Sequence, residues 1–174
     1  LTDLFVYTPN LKEAAVQWTA EHLDGIATVR IRLEDAAGRP LAEQTADAAP
    51  NGALTLPALE ARPWSPEYPQ LCRCTAELLD AAGHVMDRKQ VSFGFRTAVF
   101  RADGFYLNGK KTFLRGLNRH QSYPYIGYAA PESLQRQDAR ILKNELHCNA
   151  VRTSHYPQSQ YFLDECDRLG LLVF

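Results

Sequence analysis

The sequence has little of what marks proteins that bind nucleic acids or membranes. Its 174 residues carry 19 lysines and arginines against 20 aspartates and glutamates, a formal net charge of −1. This balance predicts no binding to nucleic acid and none to an anionic membrane surface. No apolar run reaches the ~20 residues that a transmembrane helix needs. The length allows one globular domain and part of another.

Cysteine is scarce and does not form a pattern. Cys72 and Cys74 lie two apart on one face of a predicted strand, Cys148 precedes a strand and Cys166 falls on a helix face. Neither Cys-x-x-Cys nor His-Glu-x-x-His occurs, so the sequence predicts no metal site. We therefore expect buried reduced thiols, which favours a cytoplasmic protein.

The beginning of the chain also lacks a targeting signal. Leu1-Thr2-Asp3 does not resemble a signal peptide, and we expect the N-terminus to be a cut through a longer chain.

Residues 1–97 show the period-two pattern of antiparallel strands with one polar face. Val29, Ile31 and Leu33, for example, alternate with polar residues. Two Asp-Ala-Ala-Gly segments, 35–38 and 80–83, predict turns between strands. Roughly seven short strands in this length predict an immunoglobulin-like β-sandwich, although the Cys-Trp-Cys spacing of antibody domains is absent.

A proline-rich loop, 63–69, interrupts the sandwich region. Trp64 in this loop could serve as an aromatic platform for a sugar, or the loop could be a packed connector between strands. The three prolines restrict the backbone without any ligand, so we favour the packed connector.

Residues 98–174 alternate between strand and helix patterns. Asn108-Gly109 predicts a hairpin. A strand over about 112–117 comes next, and then a helix over about 132–146 with an apolar stripe on one face. A second strand, a helix ending at Gly170 and the apolar strand 171–174 follow. The stripe consists of Leu134, Ile141, Leu142 and Leu146.

This strand-helix-strand-helix-strand order is typical of an α/β barrel. A complete (β/α)₈ barrel takes about 250 residues, so the predicted fold is a β-sandwich followed by an incomplete barrel, the N-terminal part, over 98–174. Asp138 falls within the stripe of the first helix, and we expect it to form an ion pair with Arg115 of the first barrel strand.

Polar residues gather where two of the predicted barrel strands end. Asn118, Arg119 and His120 end the first strand, and Thr153, Ser154 and His155 end the second. The carboxyl ends of barrel strands are where active sites are built.

The segment from Asn149 to Pro157, with Gly-Leu-Leu-Val-Phe at 170–174, resembles the glycosidases of glycoside hydrolase family 2. That family includes β-galactosidases and β-glucuronidases. The upstream segment from Phe113 to His120 and Pro124 also resembles it, and Asn118-Arg119-His120 is most similar to the β-galactosidase branch.

The resemblance implies a retaining β-glycosidase that hydrolyses O-glycosidic bonds, with four of the residues above in its substrate site. His120, His155 and Asn118 would contact or orient the sugar, because neutral imidazole can both donate and accept a hydrogen bond. Arg152 would support the nucleophile by keeping its carboxylate charged. Gln121 departs from the glutamate that the family often has after the first histidine, which weakens the β-galactosidase assignment.

No catalytic residue is assigned within the chain. A retaining enzyme needs two carboxyl groups about 5 Å apart, and every carboxylate of the barrel part falls on a predicted helix. The resemblance places both catalytic glutamates after later strands, beyond Phe174, and it requires no cofactor here, although a divalent or sodium ion could serve the full-length enzyme. The carboxylates concerned are Glu132, Asp138, Glu145, Asp164, Glu165 and Asp167.

Alternatives remain for the parent protein and for one loop. The parent enzyme could be a β-glucuronidase or another family member, or the chain could be a stand-alone module that binds carbohydrate or another partner without catalysis. The aromatic loop 123–128 could wall a sugar pocket or pack under a neighbouring domain. His22, His84 and His147 are interpreted as structural. The expected partners are a carbohydrate substrate and, through an open barrel edge, another copy of the chain.

Overall fold

The computed structural model describes all 174 residues, Leu1–Phe174, which form two compact units. The first unit comprises Leu1–Pro63 and Gln70–Thr97. The second comprises Ala98–Phe174 together with the short segment Trp64–Pro69. No helix in the structure is long and apolar enough to span a membrane.

Two antiparallel sheets form the first unit, in the strand orders β1-β2-β5 and β4-β3-β6-β7. Their inner faces share one core, in which Val16, Ile31 and Leu56 are fully buried. This is the arrangement of a β-sandwich, and its seven strands match the number predicted. The strands are β1 (Asp3–Asn10), β2 (Glu13–Thr19), β3 (Thr28–Glu34), β4 (Pro40–Asp47), β5 (Asn51–Pro57), β6 (Cys72–Leu79) and β7 (Val85–Phe93).

Both Asp-Ala-Ala-Gly segments are turns of one design, as predicted. The Oδ1 atom of Asp35 accepts hydrogen bonds from the backbone amides of Ala37 and Arg39, at 2.9 Å each. Asp80 does the same for Ala82 and His84. The turn residues therefore bind their own backbone, which is why aspartate suits these positions. The imidazole of His84 also pairs with Asp80, in agreement with its structural interpretation.

The polar face of β6 is exposed at Arg73, as alternation predicts, but Thr75 and Glu77 on the same face are buried. Glu77 is fully buried, because the side chains of Arg30, Arg32 and Arg88 cover its carboxylate. Burial alone would raise the pKa of Glu77, but the hydrogen bonds from Arg30 and Arg88 outweigh it and lower the pKa. Long arginine side chains can thus cover polar residues of a sheet that the sequence pattern predicts to be exposed.

The second unit begins with an antiparallel sheet in the order β10-β9-β8, formed by β8 (Ala98–Arg101), β9 (Gly104–Leu107) and β10 (Lys110–Lys111). Asn108 and Gly109 connect β9 to β10 with positive φ angles of 52° and 79°, which confirms the predicted hairpin. The pairing of β8 with β9 was not predicted.

A parallel sheet in the order β11-β12-β13 follows, formed by β11 (Gly116–Arg119), β12 (Ala150–Thr153) and β13 (Leu172–Val173). The predicted start of its first strand at about residue 112 is wrong. The Asn149 side chain binds the Arg115 amide and the Phe113 carbonyl, at 2.7 and 2.8 Å, so these residues bond to a side chain before strand pairing begins.

Helix α1 (Glu132–Arg140) connects β11 to β12 and continues as a π-helical turn, Ile141–Glu145. This wider turn rotates the last residues away from the predicted stripe, so Leu142 is buried while Leu146 is 52% exposed. Helix α2 (Gln160–Leu169) buries Phe162 and Cys166 and ends at Gly170, whose φ of 80° confirms the predicted cap.

The proline-rich segment Trp64–Pro69 packs within the second unit. Trp64 is 1% exposed, and its indole Nε1 donates to the Asp167 carbonyl of α2 at 2.8 Å. Lys143 donates to the Pro66 carbonyl at 2.7 Å. The loop is therefore packed, as favoured, but against the helices of the second unit rather than between strands of the sandwich, and the Trp64 ring is not open to a sugar.

All four cysteines are buried free thiols, as predicted. Burial raises the pKa of Cys72 to about 11 and that of Cys74 to about 12. It also raises the pKa of Cys166. The thiols of Cys72, Cys74 and Cys166 are therefore protonated at neutral pH and act as small apolar groups.

Candidate functional site

Two parallel strands bring together the histidines predicted from the sequence. Residues 116–119 of β11 lie in register with 150–153 of β12, so the residues that follow each strand meet at one edge. His120 and His155 are both exposed there, with ring centroids 6.1 Å apart and ring planes inclined at 68°. A group the size of a sugar hydroxyl can reach both rings from solvent.

The other two predicted residues lie side by side one step earlier on the same strands. Asn118 and Arg152 are register partners, and Nη1 of Arg152 donates to Oδ1 of Asn118 over a long 3.5 Å. Both side chains are exposed, and Arg152 forms no ion pair. The structure therefore places all four residues on one strand-end surface, with a guanidinium still able to bind an anion.

The backbone of His155 is held in an uncommon conformation. Its φ angle is 66°, in the left-handed region that non-glycine residues rarely adopt. Ser154, which is 1% exposed, precedes it and donates from its amide to the Arg119 carbonyl at 3.2 Å. The chain thus leaves the sheet sharply, and the His155 side chain stays at the edge rather than continuing the strand.

Tyr156 belongs to the same surface and was missed in the sequence. Its hydroxyl oxygen lies 3.4 Å from Nδ1 of His120 and accepts the Gln121 amide at 2.9 Å. On its other side, the ring of Tyr128 meets it edge-on at 5.9 Å between centroids. The one sequence signal for a role of Tyr156 was its position directly after His155 in the segment from Asn149 to Pro157.

Arg119, on the opposite face of β11, anchors the site from beneath. The guanidinium is 5% exposed and lies 3.9 Å above the Phe162 ring. It pairs with Asp138 at 2.7 Å and donates to the side-chain oxygens of Gln135 and Gln158. This one side chain therefore joins β11 to α1 and to the segment that follows His155.

The predicted ion pair of Asp138 with Arg115 is wrong in its partner. Asp138 has a cationic partner, but that partner is Arg119, the last residue of β11, whereas Arg115 precedes the strand. Helix α1 faces the carboxyl end of β11, which places Asp138 opposite the end of the strand rather than its start. The Tyr123 hydroxyl also donates to Asp138, and burial together with this carboxylate raises the pKa of Tyr123 to about 12.

Gln121, the departure from the family pattern, is engaged in structure. Its Oε1 accepts the backbone amide of Ser159, the residue preceding α2, at 3.3 Å. The side-chain oxygen of Gln121 accepts this hydrogen bond without placing a negative charge beside the histidines. The aromatic loop that follows is a tight turn in which Tyr123 and Gly127 bond each other, and its tip residue Tyr125 is fully exposed.

The carboxylates of the second unit do not bond to the four candidate site residues. None forms a hydrogen bond or ion pair with His120, His155, Asn118 or Arg152, and no group of three His, Cys, Asp or Glu side chains could hold a metal ion. Glu165 is buried among Arg136, Arg140 and Arg168; hydrogen bonding from Arg168 is the main cause that lowers its pKa to about 2.

Both units of the chain match models of known protein families. Residues 1–96 match the model described as glycosyl hydrolases family 2, and residues 99–174 match the model of the family 2 TIM barrel domain. The chain belongs to glycosyl hydrolase family 2. Its second unit is therefore the start of that family's barrel domain.

Curated relatives of this family 2 chain include two bacterial proteins named beta-galactosidase. That of Thermoanaerobacterium thermosulfurigenes is 70% identical over 88 residues, covering 51% of this chain and 12% of the relative. That of Rhizobium meliloti is 40% identical over 151 residues, covering 84% of this chain and 20% of the relative. The chain thus spans a fifth or less of the length of these relatives.

Solved structures with folds similar to this chain include two glycosidases from bacteria. A family 2 member from Bacteroides cellulosilyticus superposes with a TM-score of 0.87 at 29% identity, covering 98% of this chain and 25% of that one. The Bifidobacterium dentium beta-glucuronidase complexed with coumarin-3-O-glucuronide gives 0.86 at 27% identity, covering 99% and 30%.

Proposed function

We propose that this family 2 chain forms one wall of the sugar-binding site of a retaining β-glycosidase that hydrolyses β-galactosides. The observation that carries the proposal is the pair of exposed histidines, 6.1 Å apart, at the carboxyl ends of neighbouring parallel strands. Active sites of barrel enzymes are built at this end of the strands.

The two imidazoles would bind hydroxyl groups of the sugar. Neutral imidazole has one donor and one acceptor nitrogen, so each ring can take either role with a hydroxyl. Hydrogen bonds of this kind that strengthen as the oxocarbenium-like transition state forms contribute to catalysis. In this proposal Asn118 accepts a hydrogen bond from Arg152 and thereby orients the Arg152 side chain beside the histidines.

Arg152 would support the nucleophile. A retaining glycosidase requires a carboxylate that is ionised when it attacks, and a nearby guanidinium lowers the pKa of a carboxyl group. Arg152 is suited to this because its side chain is exposed at the site and its hydrogen bond to a neutral amide leaves its charge unpaired.

The acid/base and nucleophile would come from residues outside these 174. The carboxylates here are committed elsewhere: Asp138 to Arg119, and Glu165 to three arginines. We propose no cofactor for this chain. A divalent or sodium ion in the full-length enzyme would need a cluster of ligands that these residues do not form.

The choice of sugar rests on two opposing observations. Relatives named beta-galactosidase, at up to 70% identity, support a β-galactoside. Gln121 supports the second candidate, a β-glucuronide, because an uncharged residue beside His120 avoids repulsion of an anionic sugar.

The test is hydrolysis of nitrophenyl β-galactoside, β-glucuronide and β-mannoside by the full-length protein that contains this sequence. We expect the highest kcat/KM for the galactoside. A higher value for the glucuronide would select the second candidate. Binding of galactosides without turnover of any substrate would contradict the enzyme and favour a non-catalytic carbohydrate-binding module.

A further inference from the structure

The hydroxyl of Tyr156 connects the backbone after β11 to one of the two histidines. Its oxygen accepts a hydrogen bond from the Gln121 amide at 2.9 Å and lies 3.4 Å from Nδ1 of His120. The Tyr156 and His120 rings are 5.9 Å apart between centroids. Tyr156 therefore contacts the residue that is proposed to bind sugar.

The bond from the Gln121 amide to the Tyr156 oxygen favours one direction for the contact with His120. A backbone N–H can only donate, so the Gln121 amide uses a lone pair of the Tyr156 oxygen. The single hydroxyl proton of Tyr156 remains available, and Nδ1 of His120 lies 3.4 Å from the oxygen that carries it. With the bond in this direction, neutral His120 accepts at Nδ1 and carries its own proton at Nε2.

We propose that Tyr156 is a positioning residue that sets the tautomer of His120, so that His120 presents an Nε2–H donor to an oxygen of the substrate. The role in substrate binding rests on the proposed function, whereas the tautomer itself does not. The class of group recognised is a hydroxyl or other neutral oxygen acceptor, as found on a sugar. Fixing the tautomer in advance removes the need to rearrange protons when substrate binds.

The Tyr156 ring is held on several sides, which the proposal requires. The backbone carbonyl of Tyr156 accepts a hydrogen bond from the Gln158 side-chain amide at 3.3 Å. Gln158 in turn accepts a hydrogen bond from the buried Arg119, so the backbone that carries the ring is also held. Tyr128 packs edge-on against the ring. The hydroxyl thus cannot swing away from His120 without losing the bond from the Gln121 amide and the ring contact with Tyr128.

The test is nitrogen NMR of the 174-residue chain labelled with ¹⁵N-histidine, at about pH 8, where imidazole is neutral. Long-range spectra report which ring nitrogen carries the proton, and a His120→Gln variant assigns the resonances. We expect His120 to favour Nε2–H more strongly than His22 and His147, which are exposed and form no ring hydrogen bond.

Tyr156→Phe removes the hydroxyl and should shift the His120 tautomer ratio about two- to fivefold towards that of His22 and His147. Tyr128→Phe, which removes a hydroxyl that does not reach His120, is the matched control and should leave the ratio unchanged. An unchanged ratio in Tyr156→Phe would overturn the proposal.

The wild-type spectrum and the activity of the full-length protein test the tautomer and the proposed function separately. If Tyr156→Phe does not fold, the wild-type spectrum still decides, because a His120 that carries its proton at Nδ1 would contradict the proposal directly. An inactive full-length protein would contradict the proposed function but would not change the tautomer ratio, so the two failures are distinguishable.

Discussion

Replacing Glu165 by glutamine should destabilise the second unit without touching the histidine surface. The Glu165 carboxylate is 1% exposed and accepts hydrogen bonds from Arg140 of α1 and from Arg168 of its own helix α2. Arg136 of α1 pairs with it at 3.3 Å. Glutamine keeps the size of the side chain but removes the charge that holds three guanidinium groups together.

The magnitude follows from the pKa of Glu165, which the ion pairs lower from 4.5 to about 2. Because a tenfold change in proton affinity is worth about 1.4 kcal/mol, this difference corresponds to about 3 kcal/mol at neutral pH. Arg140 and Arg168 are more than half exposed, so solvent screens part of the interaction. We therefore expect Glu165→Gln to lower the free energy of unfolding by about 2 kcal/mol.

The stabilisation should also depend on pH in a defined direction. The pKa of Glu165 is depressed in the folded state, so its contribution is complete above about pH 4.5 and is lost as the pH falls towards 2. Near pH 3 less than half should remain, and the difference between wild type and variant should fall below about 1 kcal/mol.

Urea unfolding followed by tryptophan fluorescence measures this difference. The chain has two tryptophans, and in a Trp18→Phe background the remaining Trp64 reports on the second unit. Glu132→Gln is the matched control, because Glu132 is half exposed and pairs only with Arg136, so its loss should cost less than about 1 kcal/mol. Equal stability of Glu165→Gln and wild type at pH 7 would refute the reasoning.

Three further predictions concern other parts of the second unit. The 174-residue chain alone should release no nitrophenol from aryl β-glycosides, and turnover that survives repurification would show that a catalytic carboxylate lies within it. Asp138→Ala should cost about 3 kcal/mol in urea unfolding, because it leaves the buried Arg119 unpaired; Asp164→Ala, which removes an exposed side chain of α2, should cost under about 0.5 kcal/mol, and equal costs would contradict the ion pair. The edge strand β13 should allow the chain to self-associate, with Val173→Lys shifting it to monomer in light scattering; a wild-type chain that is monomeric at high concentration would contradict this.

Local signals allowed much of the fold to be predicted. Asp35, Asp80 and Asn108-Gly109 determine their turns through their own side chains or backbone preferences, and Gly170 is needed where φ is positive. Period-two alternation likewise identified the buried residues of β3. Each of these features depends on residues close together in the sequence.

The ion-pair partners could not be predicted because they depend on how elements pack. Arg115 and Arg119 are four residues apart in the sequence, and only the position of α1 decides which of them meets Asp138. The burial of Glu77 and Glu165 depends in the same way on arginines from neighbouring strands or helices. The π-helical turn moves Leu146 out of the core, and the spacing of apolar residues in the sequence does not predict such a turn.

The candidate site could be predicted as far as its residues but not its internal contacts. His120, His155, Asn118 and Arg152 were all expected at strand ends, and the parallel register brings them together. Tyr156 and Arg119 were not expected in the site. Tyr156 reaches His120 only because the backbone turns sharply at His155.

The most direct measurement is the effect of His155→Asn on kcat/KM of the full-length protein for an aryl β-galactoside. Asparagine tolerates the positive φ angle of His155, so the substitution removes the imidazole with little backbone strain. His147→Asn is the matched control, since His147 is also exposed with a positive φ of 53° but precedes β12 instead of following it. We predict a loss of about 100-fold for His155→Asn and no more than about twofold for His147→Asn. Full activity of His155→Asn would contradict a sugar-binding role for the histidine pair.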